Sequence, residues 1–228
     1  SKNYKEALDL LENNKNFADK AAYQKVAFYR GIELYNEANY TEAISFFDKS
    51  LKYPEDANFT ARATYWIAES DYQLSNFEKS LAGYKNFVQL SGAPNTPENR
   101  NLNYNLGYNH FKLKNYPEAI SNFKSYVNSS SAETVRKKDA YLRLGDSYFV
   151  TSQYWPAREN YNAAAEIGGD NDYADFQKAI SYGFVDRSEK KIEELVAFAK
   201  KYSKSVYRDD ALYELGNTYV AQNKNNEA

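Results

Sequence analysis

The stretch NYTEAISFF at residues 39–47 returns as NYPEAISNF at 115–123, with seven of nine positions identical and a separation of 76 residues. Halfway between the copies, FEKSLAGYK at 77–85 puts Phe77, Ser80 and Tyr84 where Tyr40, Ala43 and Phe47 stood. One step further on, YWPARENY supplies Tyr154, Ala157 and Tyr161 in the same three places. The period is therefore near 38 residues. A period of roughly 20–50 residues marks a stacked array, in which each unit buries its apolar face only against its neighbours.

A second set of positions keeps the same phase. Nine residues before each opening aromatic stands a tiny side chain: Gly31, Ala68, Gly107 and Gly145. The phase continues with Gly183 before Ile192 and Gly216 before Asn225, so five of the nine glycines share it. Glycine inside a helix costs about 1 kcal/mol relative to alanine, so this recurrence requires a packing reason, namely a neighbouring helix lying close against the backbone. Ala43, Ser80, Ala119 and Ala157, three after each aromatic, obey the same logic.

Each unit reads as two helices. The first carries apolar residues at helical spacing, as in AFYRGIELYNEA and YLRLGDSYFVTS. A polar turn follows, in which Asn39, Asn76 and Asn115 are expected to cap the second helix. Pro117 and Pro156 fall in that helix's first turn, where a missing N–H is harmless. The second helix shows one apolar stripe with aromatic–x2–small–x3–aromatic spacing. Between units lie YPEDANFTAR, SGAPNTPENR, NSSSAETVRK and GGDNDYAD, rich in turn formers. No segment alternates at period two for long enough to form a strand.

This pattern, with LGDSY at 144–148 and LGNTY at 215–219, resembles the tetratricopeptide repeat (TPR) over nearly the whole chain. The resemblance implies an all-α, right-handed α–α superhelix of about six helix pairs. It forms a single array over 1–228, with units near 1–16, 18–53, 57–92, 96–129, 132–168, 171–203 and 205–228. Four steps of 37–39 residues exceed the family's usual length, and Sel1-like repeats are an alternative of the same general kind. In the unit around Gly183, Leu195 takes the small position and Ala199 the aromatic one. NYKEALDLL at 3–11 reads as a second helix without its first, and NNEA at the C-terminus as one cut short, as expected for a segment of a longer protein. YSKSVYRDDALYELG at 202–216 is similar to inter-repeat segments of bacterial cell-envelope assembly proteins, which implies a periplasmic or membrane-attached parent, with the cytoplasm as the alternative.

Chemistry is sparsely supplied. With no Cys, thiolate nucleophiles, thiolate metal sites and disulfides are excluded together, and the lone His110 in GYNHFKL has no second His or Cys to share a metal. Phosphate-loop, dinucleotide, zinc-protease and serine-hydrolase motifs are absent. Adjacent Glu193 and Glu194 point apart on a helix, and DNDYAD at 170–175 lacks the glycine and glutamate of a calcium loop, so a helix-capping turn is expected there. A net charge of −2 gives no electrostatic case for nucleic acid, and the basic runs Arg136–Lys138, Lys190–Lys191 and Lys200–Lys201 read as solvated faces. No apolar run approaches the roughly eighteen residues of a membrane span, so direct insertion is not expected. No catalytic residue, cofactor or metal site is expected, and the chain reads as a non-enzyme.

The family resemblance implies that first helices line a concave face, with contact positions three before the small residue, one after it and four after it. These are Phe28, Ile32 and Tyr35; Tyr65, Glu69 and Tyr72; Tyr104, Tyr108 and Phe111; and Leu142, Asp146 and Phe149. Spacings of three, four and seven keep each trio on one helix face. Either these rings pack between repeats, or they form a groove for an extended or helical peptide. The family's two-carboxylate clamp needs Lys and Asn where this chain has Phe28 and Ile32, so chaperone tails are not the expected ligand. The expected function is a non-catalytic scaffold holding a protein or peptide partner in the groove. The alternatives are a regulatory or substrate-recruiting module of a larger enzyme or signalling protein, and carbohydrate binding through the tyrosines. Bare array ends are expected to permit self-association.

Overall fold

The computed structural model describes residues 3–13, 19–224 and 226–227. Twelve α-helices and no strand occur among them. They fall into two compact units, residues 1–113 and 114–228. The first holds α1 (Tyr4–Asn13), α2 (Lys20–Asn36), α3 (Tyr40–Leu51), α4 (Ala57–Gln73), α5 (Phe77–Gln89) and α6 (Leu102–Lys112). Two 3-10 turns, Ala93–Asn95 and Pro97–Asn101, join α5 to α6. The second holds α7 (Tyr116–Val127), α8 (Thr134–Val150), α9 (Tyr154–Glu166), α10 (Asp172–Gly183), α11 (Ser188–Lys201) and α12 (Arg208–Ala221). Even-numbered members are the first helices of the repeats, and each packs mainly on its sequence neighbours within its unit.

In the first unit, an added methyl at Gly31 would lie 2.6 Å from the Phe47 ring, sixteen residues on. Ala68 and Tyr84, also sixteen apart, are both buried, and a methyl at Gly83 would meet the Ala68 side chain at 2.8 Å. The phased small residue is thus where the closing aromatic of the second helix lies against the first. Ala43 and Ser80 are fully buried beside it, and the Ser80 hydroxyl donates to the Ala68 carbonyl at 2.7 Å, which satisfies the one polar group in that contact. Phe28, Leu34, Ala43, Phe47 and Ala63 form one core cluster, and Ala61, Tyr65, Ala68, Tyr84 and Phe87 belong to the next. Trp66 packs against both.

Successive hairpins of this unit are held by a buried amide. Gln24, fully buried, donates from Nε2 to the Asp56 carbonyl and to Thr60 Oγ1, both at 3.1 Å, while its Oε1 accepts from the Asp56 N–H at 2.8 Å. Asp56 in turn caps α4, accepting from Asn58 N at 2.8 Å. Gly92 serves a close approach, since a methyl there would sit 2.1 Å from the Ala57 carbonyl oxygen.

The second unit repeats the device. A methyl at Gly145 would lie 2.4 Å from the Tyr161 ring, and Ala157, Tyr161 and Ala164 are buried. Lys138 stands seven residues before Gly145, as Gln24 stands seven before Gly31. Its ammonium reaches the Gly168 carbonyl at 2.7 Å, the Asp170 carbonyl at 2.5 Å and Asn171 Oδ1 at 2.6 Å, tying down the loop before α10. The expected solvated run is therefore a clamp at this residue. Lys191 and Lys201 are likewise engaged, with Glu214 at 2.7 Å and Asp175 at 3.0 Å. Gly183 is exposed at the end of α10, where the nearest atoms to an added methyl are those of the Lys191 side chain, and Ala199 supplies no ring sixteen residues on.

The turns correct one expectation. Asn39, Asn76 and Asn115 occupy the N-cap position, but none makes a capping bond through its side chain. Their ψ angles of 64°, 62° and 72° differ from the extended cap conformation, and Asn39 instead donates from Nδ2 to Glu42 at 2.8 Å. The residue before each is left-handed: Ala38 (φ 59°), Ser75 (62°) and Lys114 (58°), as are Ser152 (58°) and Asn223 (58°). After Ala38, Ser75 and Ser152 the successor's N–H closes the preceding helix, Asn39 on Leu34 at 2.9 Å, Asn76 on Asp71 at 2.8 Å and Gln153 on Tyr148 at 2.8 Å. That is Schellman closure, made without glycine.

Candidate functional site

The twelve residues expected to line a groove do not share one environment. Phe28 and Tyr65 are core residues, with Phe28 fully buried against Phe47 and Phe59 and Tyr65 against Tyr84 and Phe87. In these two repeats the position three before the small residue packs inward, so neither side chain is a surface contact. The position four after it is half-buried and rests on the ring that opens the second helix. Tyr35 meets Tyr40 at 5.2 Å, Tyr72 meets Phe77 at 5.4 Å and Phe149 meets Tyr154 at 5.2 Å, all edge to face. Ile32 is packed on the first core cluster, and Phe111 and Leu142 are half-buried.

The position one after the small residue carries the electrostatics. Asp146 is buried, accepting hydrogen bonds from Tyr161 at 2.9 Å, from Tyr173 at 2.6 Å and from the Arg143 guanidinium. It is an internal anchor, not a groove contact. Burial, followed by the charge of Asp146, pushes both phenols above the ordinary tyrosine range. Glu69 holds the same place in α4, accepting from the Tyr84 hydroxyl and from the Asn105 amide of α6. Asn105 Nδ2 also lies 2.7 Å from the Tyr65 hydroxyl. Burial, then the Glu69 charge, raises Tyr35, Tyr65 and Tyr84 alike. Repeats that close on tyrosine (Tyr84, Tyr161) carry an acid here, and repeats that close on phenylalanine (Phe47, Phe123) carry Ile32 and Tyr108.

Glu69 differs from Asp146 in what surrounds it. Between α4 and α6 of the first unit opens a cleft of about 220 Å³, lined by Glu69, Tyr72, Gln73, Tyr104, Asn105 and Tyr108. Tyr104 and Tyr108 meet at 5.0 Å with their planes 66° apart, presenting a face beside an edge. Four of the six lining residues were among the expected contact positions. Gln73 and Asn105 were not, although Gln73 lies one helical turn after Glu69 and was within reach of the same spacing rule. His110 is buried on α6, and among the described residues no group of three or more His, Cys, Asp or Glu side chains is placed to hold a metal. Nor is any described helix long and apolar enough to cross a membrane.

No protein-family model matches the chain. No curated protein matches it either. Solved structures do. YrrB, described as a TPR protein with an unusual peptide-binding site, superposes with a TM-score of 0.70 at 18% identity, covering 93% of this chain and 97% of its own. A MamA protein gives a TM-score of 0.67 at 18% identity, covering 81% of this chain and 94% of its own. MamA from Desulfovibrio magneticus RS-1 gives 0.65 at 14%, covering 80% and 97%. Helix pairs in a fixed register, closed by an aromatic ring on a tiny side chain and superposing on YrrB over most of both chains, give this chain the fold of a tetratricopeptide-repeat protein.

Proposed function

We propose that the chain is a non-catalytic scaffold that holds a protein or peptide partner on the first-helix face of residues 1–113, with the α4–α6 cleft as the anchor. The cleft itself carries this reading. Its walls are three tyrosines, residues that supply large amphipathic contact area at low entropic cost. Its floor is fixed before any partner arrives, because Glu69 is held by Tyr84 and Asn105, and preorganisation lowers the cost of binding. The fold supports an interaction role in general, and the neighbour YrrB is described as having a peptide-binding site.

The test is selection of a displayed random dodecapeptide library on the intact chain, followed by binding of the selected peptides to a Tyr72→Ser, Tyr108→Ser double variant. Both rings are half-buried at the surface, so the variant is expected to keep its helical circular dichroism while peptide affinity falls at least tenfold. Unchanged affinity in a folded variant places the binding face elsewhere. Loss of helicity makes the two rings part of the core.

A further inference from the structure

The α10–α11 hairpin of the second unit places its turn out of step with the rest of the array. A left-handed residue stands seven after the small one at Ala38, Ser75, Lys114, Ser152 and Asn223, but three after it at Asp186 (φ 55°). The turn thus comes about one helical turn early. As a result α10 stops at Gly183 itself, where the other first helices after the small residue run five residues further. Phe184 holds the position of Ile32, Glu69, Tyr108 and Asp146 in the other repeats, but it lies past the helix end and is 54% exposed. Its ring stacks on Tyr154 at 4.5 Å and meets Phe149 edge to face at 5.3 Å. The α8–α9 and α10–α11 turns therefore share one aromatic edge, with Val150 exposed beside it.

Two more departures from the repeat lie next to it on α9. One residue after the opening aromatic, where other repeats have Thr41, Glu78 and Pro117, stands Trp155, 48% exposed. Four after it, where they have Ile44, Leu81 and Ile120, stands Arg158. The Arg158 guanidinium lies over the Trp155 ring at 4.8 Å and the Tyr182 ring at 5.5 Å, which fixes its plane. Its donors are mostly unspent. Nη1 donates to the Tyr182 hydroxyl at 3.2 Å, Nε is buried without an acceptor, and the nearest described carboxylate, Glu159, is 4.0 Å away. With 24% of the side chain exposed, an outside acceptor can reach it. Tryptophan and arginine are the residue types that dominate interface energetics, and here they replace residues with which the same fold forms elsewhere in the chain.

We propose that this edge of the second unit docks a protein segment that carries a carboxylate close to an aromatic side chain, the ring on Trp155 and Phe184 and the carboxylate on Arg158. Charge decides the class of partner. A guanidinium fork matches the two oxygens of a carboxylate, whereas a basic segment is repelled and a purely apolar one leaves the Arg158 donors unfilled. Asp186 and Arg187 cancel within the turn, Glu159 flanks Arg158, and Lys190 is taken by Glu193 at 2.7 Å. The local charge is thus near neutral and suits a single carboxylate, while a phosphate dianion or an anionic membrane calls for several free cations. The surface uses no residue of the α4–α6 cleft and stands on its own observations.

The test retests dodecapeptides, selected from a displayed random library on the intact chain, against a Trp155→Ser, Phe184→Ser variant. Both side chains are about half exposed, so helical circular dichroism should be unchanged. One class of peptide is expected to lose about tenfold or more on this variant, to bind Tyr72→Ser, Tyr108→Ser as it binds the parent chain, and to carry Asp or Glu near Phe, Tyr or Trp. Within that class, changing the acid to its amide should weaken binding about tenfold, and phosphoserine in its place should bind no tighter. Arg158→Gln should lose the same factor for the acidic peptide and nothing for the amide, and Arg158→Lys should recover part of the loss. Should Arg158→Gln lose its helicity, the acid-to-amide exchange on the unaltered chain decides alone. No peptide sensitive to Trp155→Ser, Phe184→Ser, a sensitive class without an acid, indifference to the amide, or tighter phosphoserine overturns the proposal. So does a parent dimer in sedimentation that the same variant disperses, which would seat a second copy on this edge. Because the two double variants sort the peptides separately, either surface can fail without the other.

Discussion

Two substitutions separate a glycine needed for space from one that is not. At Gly145 an added methyl would fall 2.4 Å from the Tyr161 ring, whereas at Gly183 it would meet the Lys191 chain at 3.0 Å on an exposed helix end. Gly145→Ala is therefore expected to destabilise by about 1–3 kcal/mol through overpacking, and Gly183→Ala to be near neutral or mildly stabilising, as measured by urea unfolding. Equal effects would remove the packing reason for the shared phase. Tyr161 itself gives a pH signature. Burial, then Asp146, holds its pKa above the unfolded value of roughly 10. The unfolded chain then releases that proton first, so the stabilisation is complete below pH 10 and is lost above it at about 1.4 kcal/mol per pH unit. Tyr161→Phe should cost about 1.5–3 kcal/mol at neutral pH by removing a donor to a buried carboxylate, with the gap to the parent chain narrowing above pH 10. A gap constant with pH would place the phenol in a solvated setting.

At the scale of single helices and turns, the sequence was legible where side-chain size or period carried the information. The aromatic and small positions of the second helices are buried where the spacing put them, from Ala43 and Phe47 to Ala157 and Tyr161. What was not legible is backbone conformation without glycine. Ala38, Ser75 and Ser152 are left-handed, yet none has the composition that announces such a turn, because the surrounding Schellman hydrogen bonds impose it. An L-residue there costs roughly 1 kcal/mol or more, so Ala38→Gly should stabilise by several tenths to about 1 kcal/mol, after the greater unfolded freedom of glycine is subtracted. A fall in midpoint denaturant concentration would show that Ala38 makes a contact worth more than its strain. The groove reading divided along similar lines. Of the positions implied by the family resemblance, Glu69, Tyr72, Tyr104 and Tyr108 line the cleft, but position in the repeat does not distinguish a ring facing the cleft from one facing the second helix, as Phe28 and Tyr65 do. At the position after the small residue, the pairing of an acid with the closing tyrosine fifteen residues later was present in the sequence, as Glu69 with Tyr84 and Asp146 with Tyr161.

Across the whole molecule, each compact unit contains one of the two tryptophans, Trp66 in α4 and Trp155 in α9. An array stabilised by nearest-neighbour contacts unfolds with local differences along its length. Gly145→Ala should therefore move the unfolding transition reported by Trp155, in a Trp66→Phe background, further than the one reported by Trp66 in a Trp155→Phe background. Identical displacements would make all 228 residues a single cooperative block.

The bond from a closing tyrosine to the carboxylate one step past the small residue lies wholly inside one hairpin, from Glu69 to Tyr84 and from Asp146 to Tyr161. Gene segments exchanged at the loops between hairpins would carry donor and acceptor together, whereas a crossover at the Schellman turn would join an orphaned acid to a phenylalanine. The intact hairpin is thus the smallest segment that keeps this donor and acceptor together, and arrays rearranged by duplication are expected to bear their breakpoints in the inter-repeat loops.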